Sequence, residues 1–83
     1  MGMQFELISP ANSVQENSAV SISFITPNGA IQILNNHAPM LAEITEPKVC
    51  VKTIEKERTF LVKGAFVTVE NNKITILAAE YEE

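Results

Sequence analysis

Alternation at period two constrains this chain more than any other feature: apolar and polar residues trade places along almost every stretch, and helical spacing is nearly absent. Phe5 and Leu7 alternate with Gln4 and Glu6. Val20, Ile22 and Phe24 alternate with Ser21 and Ser23, whose hydroxyls are expected to face water, before Thr26-Pro27-Asn28-Gly29 ends the run. Ile31 and Ile33 bracket Gln32, Val49 and Val51 sit among Lys48, Cys50 and Lys52, and Phe60 and Val62 are flanked by Thr59, Leu61 and Lys63. Val67 and Val69 lead to Asn71-Asn72, after which Ile74 and Ile76 alternate with Lys73 and Thr75. Each run reads as one half-buried strand. Because Asn tolerates positive φ, the pair joined at Asn71-Asn72 reads as a hairpin.

Turn residues punctuate these runs at Ser9-Pro10, Pro27-Asn28-Gly29, Asn35-Asn36, Glu46-Pro47, Glu55-Lys56-Glu57, Gly64 and Asn71-Asn72. Such spacing suits a sandwich or barrel of short strands. A chain of 83 residues buries only about two thirds of its unfolded surface, so all strands must share one core. Residues 1–83 therefore read as a single all-β domain with two sheets face to face. The closing residues, Ala78-Ala79-Glu80-Tyr81-Glu82-Glu83, read as the start of a helix or a tail.

Composition removes several function classes. Ten acids against six bases give a net charge of -4 and a pI near 4.9, the opposite of the clustered Lys and Arg that bind phosphate backbones, so nucleic acid is not an expected partner. No apolar run approaches the roughly 20 residues of a membrane span, and no basic-then-apolar leader opens the chain. Met1-Gly2 carries no myristoylation signal, since Glu6 stands where Ser or Thr is needed. A lone cysteine cannot form an internal disulfide, so Cys50 reads as a buried small hydrophobe in a reducing compartment. His37 and Cys50 could in principle act as base and nucleophile or as metal ligands. They lie thirteen positions apart with no second histidine, CxxC or HxxxH to complete a site. Gly2, Gly29 and Gly64 are scattered, so no phosphate cradle is expected. Glu43 and Glu46 read as rim or capping charges and the run Glu55-Lys56-Glu57-Arg58 as a solvated hairpin tip. No catalytic residue, metal or cofactor is expected.

The stretch Asn28 to Leu41 is the candidate site. Two adjacent Asn, a His, a Pro and then Met40 and Leu41 exceed what chain reversal needs. Pro39 fixes its own φ and biases Ala38 toward extended backbone, so the loop can present Met40 and Leu41 at low ordering cost. His37 reads either as a loop residue bonded to a neighbouring carbonyl or as part of a docking edge.

Gly29 to Leu41, with Ile33-Leu34 leading into His37-Ala38-Pro39-Met40-Leu41, resembles the Gly-Ile/Val-Leu-Pro-Gly-His-Ala-Pro-Leu-Leu signature of the ε-subunit family of F-type ATP synthases. Downstream, Phe60-Leu61-Val62-Lys63-Gly64-Ala65-Phe66-Val67-Thr68-Val69 resembles that family's Phe-x-Val-x-Gly-Gly-Phe-x-x-Val, and Asn72-Lys73-Ile74-Thr75-Ile76-Leu77-Ala78 its Asn-x-Val-Thr-Val-Leu-Ala. Order and spacing agree across about residues 4 to 80. The resemblance implies a flattened two-sheet β-sandwich or barrel of about ten short strands. It also implies a non-catalytic rotor subunit that links γ to the c-ring, couples ion translocation to ATP synthesis in the α/β hexamer, and meets the cytoplasmic face of the membrane only through the complex. By position it assigns the γ contact to Ser9, His37, Ala38, Pro39, Met40 and Ala42, and the c-ring contact to Asn28, Gly29, Ala30 and Ile31. Ala30, Gln32, Asn35-Asn36 and Ala65 depart from the family pattern. Asn35-Asn36 can physically replace Pro-Gly, whereas Ala65 fits less easily if that site needs positive φ. The helical hairpin that follows this domain in longer relatives is missing from these residues. The competing readings are an unrelated β-sandwich adaptor or ligand-binding module, and a small thiol or metal enzyme.

Overall fold

The computed structural model describes residues 2–83. Its strands are β1 (Met3–Ile8), β2 (Ser13–Thr26), β3 (Gly29–Ile33), β4 (Met40–Ile44), β5 (Lys48–Thr53), β6 (Glu57–Glu70) and β7 (Lys73–Glu82). They run in the order β1-β7-β6-β5-β2-β3, with β4 paired to β6 and a β1–β2 pairing that closes the circuit. Among the described residues only the β1–β7 pair is parallel.

The described residues form seven strands where about ten short ones were expected, because β2, β6 and β7 are long and each serves both sheets. One sheet holds β4, the second half of β6, the first half of β7, β1 and the first half of β2. The other holds β3, the second half of β2, β5, the first half of β6 and the end of β7. A strand crossing between sheets must change which residues face inward, since side chains alternate strictly. In β6 the buried residues are Phe60 and Val62, then Ala65, Val67 and Val69. The phase slips at Gly64, whose φ of 59° lies in the left-handed region. Its neighbour across the ladder slips too: β7 buries Ile74, Ile76 and Ala78 and then turns Tyr81 inward. Gly64 is thus a corner inside one long strand and not the turn expected there. The positive φ belongs to Gly64, so Ala65 sits without strain and buried.

A bulge does the same for β2. Its register slips between Ala19 and Ser21 against β5, and β1 slips between Met3 and Phe5 against β2. The extra residue inverts the expected facing: Val20 is 41% exposed, and Ser21 only 6%. Glu46-Pro47 makes no reversal either. β4 and β5 lie end to end along β6 in one continuous register, and the Val62 amide donates to the Pro47 carbonyl at 2.8 Å between them. The closing residues extend β7 to Glu82 instead of starting a helix. Cys50 is half-exposed on the outer face of β5, its Sγ 3.8 Å from the Thr59 hydroxyl, because Val49 and Val51 take the inward positions.

The core joins both sheets through Phe5, Leu7, Ile22, Ile33, Val49, Val51, Phe60, Val67, Ile74 and Ile76, all at most 1% exposed. Burying each such side chain contributes about 1.5–3 kcal/mol. Phe60 stacks tilted on Phe5 at 6.0 Å and edge-on to Tyr81 at 6.2 Å.

Candidate functional site

The loop between β3 and β4 is built by asparagines. The His37 amide donates to the Leu34 carbonyl at 3.1 Å, closing a turn in which Asn36 takes φ 66°. The Asn36 amide donates to Asn72 Oδ1 at 2.7 Å, and Asn72 Nδ2 returns a bond to Asn36 Oδ1 at 3.2 Å. Asn72 itself occupies the β6–β7 hairpin with φ 60°, beside Asn71 at 52°, and its carbonyl accepts from the Gln4 amide at 2.9 Å. One residue therefore ties the loop to a hairpin through its side chain and the hairpin to the start of β1 through its carbonyl. His37 is half-buried, with Nδ1 2.7 Å from the Ala38 carbonyl. A carbonyl can only accept, so this contact places the proton on Nδ1.

The other candidate segment is the β2–β3 hairpin. Thr26, 4% exposed, donates from Oγ1 to the Gly29 carbonyl at 3.2 Å and accepts from the Asn28 amide at 3.2 Å. Gly29 has φ 112°, and Asn28, Gly29 and Ala30 are exposed, while Ile31 packs partly on the core. At about 3.3 Å per residue, β3 separates this tip from the His37 loop by roughly 16 Å. The two candidate segments occupy opposite ends of one strand.

The residues assigned to γ do not form one cluster. Ser9 lies in the β1–β2 turn, bonded to Asn12 through both amide and hydroxyl, at the end of β1 away from Asn72. Met40 and Ala42 turn toward the core. Between Ser9 and the His37 loop stretches the outer face of the β4–β6–β7–β1 sheet. There Glu43, Phe66, Leu77 and Ile8 form one row across the strands, and Leu41, Thr68, Thr75 and Glu6 the next. Leu41 is 74% exposed, Phe66 53% and Leu77 52%. The sequence signal for these residues was present: Ala65-Phe66-Val67 and Ile76-Leu77-Ala78 put apolar residues at outward positions, where alternation would place polar ones. An apolar patch flanked at its edges by Glu6 and Glu43 suits docking.

Among the described residues the one dense charge cluster stands elsewhere, at the start of β6. Arg58 bonds Glu16 at 2.9 Å and Glu83 bidentately, lies over the Phe60 ring at 5.1 Å, and shares Glu16 with Lys56 at 3.3 Å. Hydrogen bonds from Arg58 hold the carboxyls of Glu16 and Glu83 below the ordinary value, and the same bonds, from Glu83 first, raise the guanidinium. The Arg58 and Glu16 side chains are only 20% and 15% exposed, whereas Glu83 is 45% exposed, so the Glu83 arm is the more strongly screened by water. Among the described residues no three His, Cys, Asp or Glu side chains converge to hold a metal ion, and no helix is long and apolar enough to cross a membrane.

Residues 2–83 match the family described as ATP synthase, Delta/Epsilon chain, beta-sandwich domain. The chain is similar to the ATP synthase epsilon chain, chloroplastic, of Tetradesmus obliquus, with 32% identity over 82 residues, covering 99% of this chain and 60% of that protein. It is also similar to the ATP synthase epsilon chain of Endomicrobium trichonymphae, 24% identical over 75 residues, covering 90% and 54%. These relatives are longer, and the chain spans little more than half their length. The fold also matches a chain in the Euglena gracilis mitochondrial ATP synthase structure of OSCP, F1 and c-ring, at TM-score 0.88 and 15% identity over 98% of this chain and 52% of that one.

Proposed function

The chain belongs to the ATP synthase delta/epsilon beta-sandwich family, and from that premise we propose that it is a non-catalytic subunit of the rotating central stalk of an F-type ATP synthase. It carries torque between γ and the c-ring on the cytoplasmic side of the membrane and performs no chemistry of its own. The observation that supports this most is the outer face bearing Leu41, Phe66 and Leu77. A monomeric domain of this size gains nothing from three large apolar side chains in water, whereas a shaft seated on them removes that surface from solvent. Ser9 and the His37-Ala38-Pro39 loop flank the face and would orient γ. Asn28, Gly29, Ala30 and Ile31, at the far end of β3, would meet the ring. His37 then serves as a positional group, which its internal bond to Ala38 supports.

The test is co-purification with the cognate γ subunit. A stable complex by size-exclusion chromatography is expected, and Phe66→Glu should abolish it while leaving the circular dichroism and melting curve of the free domain in place. Absence of any complex with the wild-type chain overturns the proposal.

A further inference from the structure

We propose that Asn28 is a site of spontaneous deamidation, which converts the uncharged β2–β3 hairpin tip into an anionic one. Asn28-Gly29 is the only Asn-Gly pair in the chain. The reaction is intramolecular. The backbone nitrogen of Gly29, having lost its proton, attacks Cγ of Asn28, the new N–Cγ bond closes a five-membered succinimide, and the Cγ–Nδ2 bond breaks to release ammonia. Water then adds to one of the two imide carbonyls. Opening at Cγ gives aspartate, and opening at the backbone carbonyl gives isoaspartate, so side-chain amide plus water becomes carboxylate plus ammonium with no oxidant or other reactant.

The structure singles out this asparagine from the rest. Asn36 and Asn72 hold each other's side chains, and Asn12 Oδ1 accepts from the Ser9 hydroxyl. Asn28 uses only its backbone amide, bonded to Thr26 Oγ1, and its side chain has no partner among the described residues. Asn17, Asn35 and Asn71 precede Ser18, Asn36 and Asn72, whose Cβ atoms crowd the attacking nitrogen. Gly29 has none, and a Cβ built there would meet nothing within 4 Å, which leaves room for the ring. Gly29 pairs with Thr26 as the last rung of the β2–β3 ladder. Opening that terminal rung to free the nitrogen needs only local fraying, with the core untouched.

The inference does not depend on the proposed function, and the free chain is the sample. It is incubated at mildly alkaline pH, digested, and each Asn-containing peptide is followed by mass spectrometry, with isoaspartate methyltransferase labelling of the product. Asn28 is expected to convert on the order of tenfold faster than any other asparagine, one decade in rate. Asn28→Gln should remove the labelled product, because its longer side chain would have to close a larger ring. Equal conversion at Asn28 and elsewhere, or loss from another asparagine first, overturns the proposal.

Discussion

Gly64 shows how much of the fold rests on single residues. Alternation along β6 would bury Leu61 and Lys63 or else expose the valines beyond, unless one residue changes phase, and the φ of 59° at Gly64 makes that change. A Cβ there would stand 3.4 Å from the Cβ of Ala79, an ordinary contact, so the penalty of a side chain is conformational. Gly64→Ala is therefore expected to cost about 1–2 kcal/mol, and Gly64→Asn less, by urea denaturation; equal losses would place the penalty in packing instead. Asn72 separates in the same manner. Asn72→Gly keeps the positive φ but removes both bonds to the His37 loop, and should cost about 1–2 kcal/mol with faster amide exchange at Asn36. The sequence made the positive φ at Asn36, Asn71 and Asn72 legible because Asn there has a known backbone preference. Their mutual bonds, 36 positions apart, leave no local trace in composition.

Elements were legible wherever alternation ran unbroken. β1, β3, β5 and the Asn71-Asn72 hairpin follow the expected pattern, whereas β2 and β6 did not, because the corner at Gly64 reads in sequence as a turn and the bulge between Ala19 and Ser21 leaves no mark in an alternating run. Val20 and Ser21 exchange places for that reason alone, and Glu46-Pro47 breaks a strand without reversing it. The charge cluster at the start of β6 is an element-scale device that fastens three segments: Glu16 from β2, Arg58 from β6 and Glu83 after β7. Both carboxyls titrate below the ordinary 4.5 in the folded chain. A depressed folded pKa means stabilisation that is complete above the unfolded value and fades as pH falls through the folded one. Melting temperature should accordingly decline as pH is lowered below about 4.5. Arg58→Leu should flatten that part of the profile while keeping apolar cover over Phe60. An unchanged slope in the variant would assign the acid sensitivity to other carboxylates.

At the scale of the molecule, the candidate site is an arrangement that no single motif spells out. The His37 loop and the hairpin tip were visible as unusual segments, but the face between Ser9 and Leu41 was not. It is assembled from β1, β4, β6 and β7, whose register only the folded sheet defines. A rigid core of interleaved Val, Ile and Phe lies between that face and the hairpin tip. Leu77 and Ala30 stand in opposite sheets and share no partner, so they should act independently. Leu77→Glu is expected to weaken γ binding with no effect at the ring, and Ala30→Lys to alter ring association with γ binding intact. Measured as binding free energies to a γ–c-ring assembly, the double variant should equal the sum of the singles within about 0.3–0.5 kcal/mol. Pro39→Gly belongs with the first class: loosening the loop should reduce γ affinity more than it lowers the melting temperature, and equal loss of both would remove the loop from the interface. Under the proposed function, transmission of torque adds a stricter requirement, since it would need both seats at once. Reconstituted enzyme carrying either substitution should hydrolyse ATP yet pump fewer ions per ATP, and full coupling in the Leu77→Glu enzyme would show that the apolar face does not carry the shaft.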